Sequence, residues 1–363
     1  MKILMAARRY PPDVWSGTET VAASLYERAR RRHEVQLVVG FVRARSEVPS
    51  EAQAVDLRAK SQPARWAAMA VAIFQAARRF KPDVVLSNNI EVPPTGRPTA
   101  IIVHDLNFGA VRAQDIEAQL RRRFTVARAG KADAVITVSA ATGRTLVDLG
   151  LPTERLRVIP NGVDADLFAP NAATHATAHA GDDRLHLVYA SRFLPGKGQH
   201  LAIDAVARLP RADKERVRLT LVGAVVDRVY LDQLRVQAWG QPVDFAPDVP
   251  EMAPHYAAAD VALFPTVMEE GFGYSAVEAM AAGLPVVWSD QPAIREATGG
   301  IGLPVPPGDV LALRAAIQQL LADPAGRARL GAEGRRYVQQ NRSWDAVWDR
   351  YERALAELIA GRR

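Results

Sequence analysis

The stretch DVALFPTVMEEGFGYSAVEAMAAGLPVVWSD, residues 260–290, holds a complete strand–loop–helix–strand unit. DVALFP is a short apolar run with the pattern of a buried strand. TVMEEGFG carries two glycines within three residues and resists a helix. YSAVEAMAA is a strong helix former, and LPVVWSD reads as the next strand. Glu270 therefore falls in the loop and Glu278 in the first turns of the helix. Two nearby carboxylates suggest acid/base chemistry of the kind hydrolases use. The glycines suggest something else. Backbone N–H groups of Gly271, Phe272 and Gly273 point out of a helix N-terminus, a nest for phosphates or sugar hydroxyls. A carboxylate accepts two hydrogen bonds well and can clamp a vicinal diol such as a ribose. A capped helix with ordinary surface glutamates fits the stretch equally well.

The same alternation extends in both directions. KILMAA (2–7), HEVQLVVG (33–40), DVVLSNN (83–89), AIIVHD (100–105), ADAVITVS (132–139) and LRVIPNG (156–162) are short apolar runs bounded by polar, Pro or Gly residues. Continuous apolar runs suit strands buried on both faces of a parallel sheet. Helical stretches lie between them: Thr18 to Arg31, Ala64–Phe80 and Ala113–Ala129. The alternation restarts at LHLVYASR (185–192) and runs through RLTLVG, VDFAP, DVALFP, LPVVWSD and IGLPV. Two Rossmann-like, doubly wound α/β domains of similar size are expected, facing each other across a cleft at the carboxyl ends of their strands. The boundaries read as 1–164 for the first domain and 184–342 for the second. Between them, ADLFAPNAATHATAHAGDD (165–183) has no periodicity and reads as a linker. His175 and His179 stand four apart there. A metal site would want them on a helix with a third ligand nearby, so they read as part of a solvated loop. The tail 343–363 is a long amphipathic helix with Trp344, Trp348 and Tyr351, expected to pack back towards the first domain.

Composition bounds the partners. The 363 residues are 48% apolar and 24% charged, as in an ordinary globular protein. No apolar run reaches the ~20 residues of a membrane span. The N-terminal run is too short for a secretory signal and reads as a first strand. Zero cysteines exclude disulfides, thiol catalysis and cysteine metal sites. A cytoplasmic protein is the expectation. The net charge of +6 is uneven: residues 1–165 hold 25 Lys/Arg against 16 Asp/Glu, and residues 166–363 hold 21 against 24. A basic first half fits an anionic partner, with peripheral contact at the inner face of a membrane left open beside a compositional bias towards arginine. The Arg-rich stretch 112–130 reads as a helix with a basic face, either a solvated face or a membrane-facing one. Nucleic acid is disfavoured, because the basic residues are not interleaved with aromatics and no such motif occurs.

A second cationic feature stands in the latter half. In SRFLPGKGQHLAIDA (191–205), Arg192 follows a strand and Lys197 sits in a Pro-Gly-Lys-Gly loop that opens a helix. Two cations there can neutralise a diphosphate. The spacing is not that of a Walker loop.

Taken together, these segments resemble the retaining glycosyltransferases of family 4, which have the GT-B fold. The family's E-x(7)-E signature stands here as EGFGYSAVEAMAAGLPVV, beginning at Glu270. SRFLPGKG is similar to its pyrophosphate-binding segment, 138–164 to its passage between domains, and 243–265 to the stretch lining the nucleotide base. The resemblance covers nearly the whole chain. It implies transfer of a hexosyl unit from a UDP- or GDP-linked donor to a sugar, lipid-linked or other acceptor hydroxyl in glycoconjugate synthesis. By the resemblance, Glu278 holds the ribose. Glu270 and the amides of Gly271, Phe272 and Gly273 hold the donor sugar. Arg192 and Lys197 bind the diphosphate, and Phe245 flanks the base. His104, at a strand's carboxyl end, touches the donor sugar or phosphate. Gly17 belongs to a loop near phosphate and acceptor, where Ser16 replaces a family glycine. The turn after LVG departs from the family, so only Gly223 is carried over.

No carboxylate is placed as a covalent nucleophile, so a front-face reaction is expected, in which a donor phosphate oxygen takes the acceptor's proton. No cofactor is expected, and no metal for the chemistry, since Arg192 and Lys197 can replace the cation. The alternatives are a sugar-nucleotide epimerase or hydrolase of the same fold and a non-catalytic nucleotide-sugar-binding subunit. A dinucleotide dehydrogenase is disfavoured because no G-x-G-x-x-G follows a strand.

Overall fold

The computed structural model describes residues 1–11, 17–43, 48–58, 60–90, 92–106 and 116–362. The chain divides into two compact units, Met1–Gly162 with Trp344–Arg363, and Val163–Ser343.

The first unit is built on strands β1 (Lys2–Ala7), β2 (Glu34–Phe41), β3 (Gln53–Asp56), β4 (Val84–Ser87), β5 (Thr99–Val103), β6 (Ala134–Thr137) and β7 (Leu156–Val158). Its helices up to Gly162 are α1 (Gly17–Arg32), α2 (Gln62–Phe80), α3 (Ile116–Ala129) and α4 (Ala140–Asp148). The strands form one parallel sheet in the order β3-β2-β1-β4-β5-β6-β7. Residues of β4, β5 and β6 are buried throughout, which is why their sequences are continuous apolar runs. Met69, Ile73 and Ala76 of α2 pack on Leu4, Val38 and Val85. Val126, Ala129 and Leu146, from α3 and α4, pack on Ile101 and Val135.

The second unit holds β8 (Leu185–Ala190), β9 (Val217–Gly223), β10 (Val243–Pro247), β11 (Val261–Phe264), β12 (Val286–Ser289) and β13 (Leu303–Val305). Its helices are α5 (Ala172–Ala178), α6 (Gln199–Ala207), α7 (Arg211–Lys214), α8 (Arg228–Gln237), α9 (Ala253–Ala257), α10 (Tyr274–Ala281), α11 (Pro292–Thr298), α12 (Val310–Ala322) and α13 (Pro324–Asn341). The sheet is again parallel, in the order β10-β9-β8-β11-β12-β13. In both sheets the strand order thus reverses once, between β1 and β4 and between β8 and β11. In open α/β sheets ligands bind outside the carboxyl ends of the strands at such switch points.

The tail forms α14 (Trp344–Ala360) and belongs to the first unit. Its Trp344, Trp348, Tyr351 and Leu355 are buried. Arg32 reaches Asp349 at 2.8 Å and Glu352 at 3.1 Å, tying α14 to α1. Those pairs are exposed and contribute little, so the buried aromatic rings carry the attachment.

The reading of 165–183 as a linker is corrected. All of it lies inside the second unit, with turns at 165–168 and 179–181 on either side of a short helix. Phe168 packs edge-on to Tyr256 with ring centres 5.7 Å apart. Residues 172–178 form α5, whose Asn171 cap accepts from Thr174 N at 3.0 Å. Alanine propensity and a cap suffice for a short helix once it can dock, and neither gives an amphipathic period.

Candidate active site

The carboxyl ends of β8 and β11 meet at the switch point of the second unit. The loop after β8 makes a short 3-10 turn, Pro195–Lys197, and α6 then starts from Gly198. Gly196 O accepts from Val267 N at 3.0 Å and Met268 N at 2.8 Å, which stitches this loop to the one after β11. Gly198 has φ of 80°, and a Cβ there would collide with the Pro265 carbonyl. Glycine is needed both for the turn and for the approach of the two loops. Tyr189, fully buried, donates its hydroxyl to the Lys197 carbonyl.

This stitching brings together two residues 73 positions apart. Lys197 Nζ donates to Glu270 Oε1 at 2.6 Å, and both side chains are about nine-tenths buried. Thr266 Oγ1 donates to the same oxygen at 3.0 Å. Glu270 N donates to Gln291 Oε1 at 3.1 Å, while Gln291 Nε2 reaches the carbonyls of Thr266 and Met268 at 3.2 and 3.0 Å. Two donors on Oε1 leave Oε2 for a third partner, and an ammonium has two more protons to give. Thr266 and Gln291 were missed in the sequence. Their roles depend on the loop fold, and only their positions just past β11 and β12 hint at them.

Arg192 lies at the same end of β8 and is exposed; among the described residues it has no ion-pair partner. Its carbonyl accepts from Gln199 Nε2 at 2.8 Å, which fixes the backbone but leaves the guanidinium reach. Gly223 closes β9 with φ of 147°, where a Cβ would collide with the Ser191 carbonyl. Its role in the structure is thus the close approach of β9 to the Arg192 loop. Phe245, on the edge strand β10, is half-buried with its ring 6.4 Å from that of Phe193.

Gly273 caps α10 with φ of 90° and ψ of 53°. Phe272 is buried against the Tyr274 ring at 5.1 Å, and Gly271 is half-exposed. Glu278 sits in the second turn of α10, partly exposed, and accepts from Tyr256 Oη at 3.1 Å. Burial lifts its carboxyl from 4.5 to about 7, and the tyrosine hydrogen bond works the other way. Tyr256 was also missed; it lies 22 positions earlier, on a five-residue helix.

The first unit has its own polar cluster at its switch point. His104 follows β5, and its Nε2 lies 2.7 Å from Asn88 Oδ1 at the end of β4. Asn88 Nδ2 donates to the Thr18 carbonyl at 2.9 Å. A carbonyl only accepts, so this bond sets the amide orientation, and the amide oxygen then takes the Nε2 proton. Nδ1 is left as an acceptor. Burial pulls the imidazole down to about 4, so it stays neutral at ordinary pH. Gly17 starts α1 beside this cluster. Ser16 lies outside the described residues, as does the start of the Arg-rich stretch 112–130. The described part of that stretch is α3, with Leu120 and Phe124 exposed and Phe124 stacked on Trp66 at 5.4 Å. Among the described residues no helix is long and apolar enough to cross a membrane.

Residues 15–167 match the family model described as Glycosyltransferase Family 4, and residues 184–323 the model described as Glycosyl transferases group 1. A GDP-mannose-dependent alpha-(1-6)-phosphatidylinositol monomannoside mannosyltransferase of Mycolicibacterium smegmatis is 34% identical over 249 residues, 64% of this chain and 63% of the relative. A D-inositol 3-phosphate glycosyltransferase of Kineococcus radiotolerans is 33% identical over 261 residues, 64% of this chain and 59% of the relative. The chain thus spans about three fifths of the length of these curated relatives. Among solved structures, Anabaena HepE in complex with UDP superposes with a TM-score of 0.81 at 22% identity, covering 98% of this chain and 100% of that one. Sucrose-phosphate synthase from Thermosynechococcus elongatus gives 0.83 at 23% identity, covering 99% of both. Those likenesses show the fold, two Rossmann-like α/β units of the GT-B type. With both halves matched, the chain belongs to the family 4, group 1 glycosyltransferases.

Proposed function

We propose that the chain is a retaining hexosyltransferase that moves a sugar from a nucleoside-diphosphate donor to an acceptor hydroxyl in glycoconjugate synthesis. The observation that carries the reading is the largely buried Lys197–Glu270 pair beside the Gly271–Gly273 nest at the start of α10. A cation with two unused donors beside a carboxylate with an unused oxygen suits a ligand that is anionic at one end and hydroxylated at the other. The named relatives and neighbours support the donor class: one is GDP-mannose-dependent, another was solved with UDP.

In this reading Lys197 and Arg192 bind the diphosphate and stabilise the charge that builds on it as the glycosidic bond breaks. Glu270 Oε2 and the amides of Gly271, Phe272 and Gly273 orient the sugar. Glu278 holds the ribose hydroxyls, and Phe245 flanks the base. His104, neutral and turned by Asn88, accepts a sugar hydroxyl at Nδ1. Gly17 leaves space for the substrate at the start of α1. The acceptor attacks on the leaving-group side and passes its proton to a donor phosphate oxygen, which keeps the anomeric configuration. Arg192 and Lys197 supply the positive charge, so turnover does not need a metal. The acceptor is a sugar or a lipid-linked glycan, and the basic first half is the part that would approach an anionic membrane surface from the cytoplasm.

Thermal shift with a panel of UDP-, GDP- and ADP-sugars tests the donor, since a bound ligand raises the melting temperature by mass action. The cognate donor should stabilise the wild type and then be consumed only with acceptor present. Donor consumed without acceptor would favour a hydrolase, and binding without turnover a non-catalytic subunit.

A further inference from the structure

The opposite ends of the same two strands carry a second cluster. Asp260 immediately precedes β11, and His186 is the second residue of β8. Both lie at amino ends, away from Lys197 and Glu270, which follow the carboxyl ends. His175 and His179, four apart on α5 and its C-cap, share one face of that helix. His175 Nε2 is 3.1 Å from Asp260 Oδ1, and His179 Nε2 is 3.5 Å from Asp260 Oδ2. One ligand atom from each of the three residues falls within 4.8 Å of the others. The sequence had asked for a helix and a third ligand before these histidines could count as a metal site, and the structure supplies both.

We propose that His175, His179 and Asp260 form a binding site for a divalent transition-metal ion of the zinc type, which fastens α5 to the sheet. Two imidazoles and a carboxylate are a donor set that suits Zn²⁺, Co²⁺ or Ni²⁺, with solvent completing the shell. A tetrahedral ion with bonds of about 2.0–2.1 Å holds its ligand atoms about 3.3–3.4 Å apart. The His175 Nε2–Asp260 Oδ1 separation, 3.1 Å, is close to that value, and the three ligand atoms, all within 4.8 Å of one another, need only a small closure around the ion.

The surroundings orient the ligands, as outer partners of metal sites do. His186 N donates to Asp260 Oδ2 at 2.8 Å, and Asp260 N returns a bond to His186 O at 2.8 Å. The His186 ring stacks on His179 at 3.9 Å, and His179 stacks on His175 at 4.2 Å. Asp182 holds His186 Nε2 at 3.1 Å, so that ring faces away from the ion. His179 Nε2 is out of solvent contact and makes no hydrogen bond, which is the state a ligand nitrogen wants. His175 keeps 44% of its side chain exposed and provides the way in. The ion would sit remote from the proposed chemistry and act on stability.

The test uses the full chain without a histidine tag, stripped with EDTA and returned to buffer. Calorimetric titration with Zn²⁺ should give one site per chain, and excess Zn²⁺ should raise the melting temperature on the order of 5 °C. His175→Gln and Asp260→Asn should each weaken binding tenfold or more, whereas His255→Gln, outside the cluster, should not. His175→Gln changes an exposed side chain and keeps its fold, which circular dichroism checks. Absence of a stoichiometric site in the wild type, or equal binding in His175→Gln, would overturn the proposal and leave the cluster as a hydrogen-bonded latch.

Discussion

The two units share one strand order around their switch points but equip those points differently. In the second unit, β8 and β11 present a lysine, an arginine and two carboxylates around a glycine-capped helix. In the first, β4 and β5 present an amide and an imidazole that burial keeps neutral. A diphosphate carries charge that a protein must meet with charge. A sugar hydroxyl needs only an aligned hydrogen bond, and a buried unpaired charge there would cost more than it returned. Topology supplies the two sites, and the residues that end the strands decide what each can hold.

The strongest way to break this contrast is Lys197→Ala. Turnover should fall about 10²–10³-fold, as for loss of a donor that stabilises transition-state charge. The unit should also lose about 3 kcal/mol in urea unfolding, because Glu270 is left buried without its partner. Lys197→Met with Glu270→Gln separates the effects: stability should return and turnover should not. Recovered turnover would make the pair a structural one. Arg192→Ala should cost about 10²-fold in turnover with no change in stability, since the side chain is exposed. On the neutral side, His104→Ala should lower kcat/KM about tenfold, or 1.4 kcal/mol. His104 should contribute no pH dependence between pH 5 and 8, because its imidazole titrates near 4.

The smallest effect concerns Glu278. Its carboxyl titrates near 7 in the fold against 4.5 when free, so stability declines as pH rises from about 4.5 to 7 and is flat above. Glu278→Gln should remove that slope and add about 1 kcal/mol at pH 8, after discounting for its partial exposure, while donor affinity falls. Melting temperatures across that range check it; a slope that survives in the variant would assign it to another group.

Much of this was legible. The run KILMAA coincides with β1, and Ala64–Phe80 lies within α2, because burial on both faces and helical periodicity write themselves into composition. The motif around Glu270 and Glu278 placed one glutamate in a loop and one in a helix, as found. Partners across distance were not legible. Asn88 reads only as a polar residue at the end of a strand-like run, yet it sets the His104 tautomer. His175 meets Asp260 across 85 positions, and α5 has a cap and alanines but no apolar period to announce it. β3 also went unread, being four partly exposed residues at the sheet edge. Short elements held by tertiary contact leave little local trace.

The central claim is that the second unit's cationic end holds a nucleoside diphosphate. Calorimetric titration of UDP and GDP into the wild type and into the Arg192→Ala, Lys197→Ala double variant tests it most directly. The account predicts a single saturable site for one of the two nucleotides in the wild type and at least a hundredfold loss of affinity in the variant. Equal affinity in both proteins would contradict it.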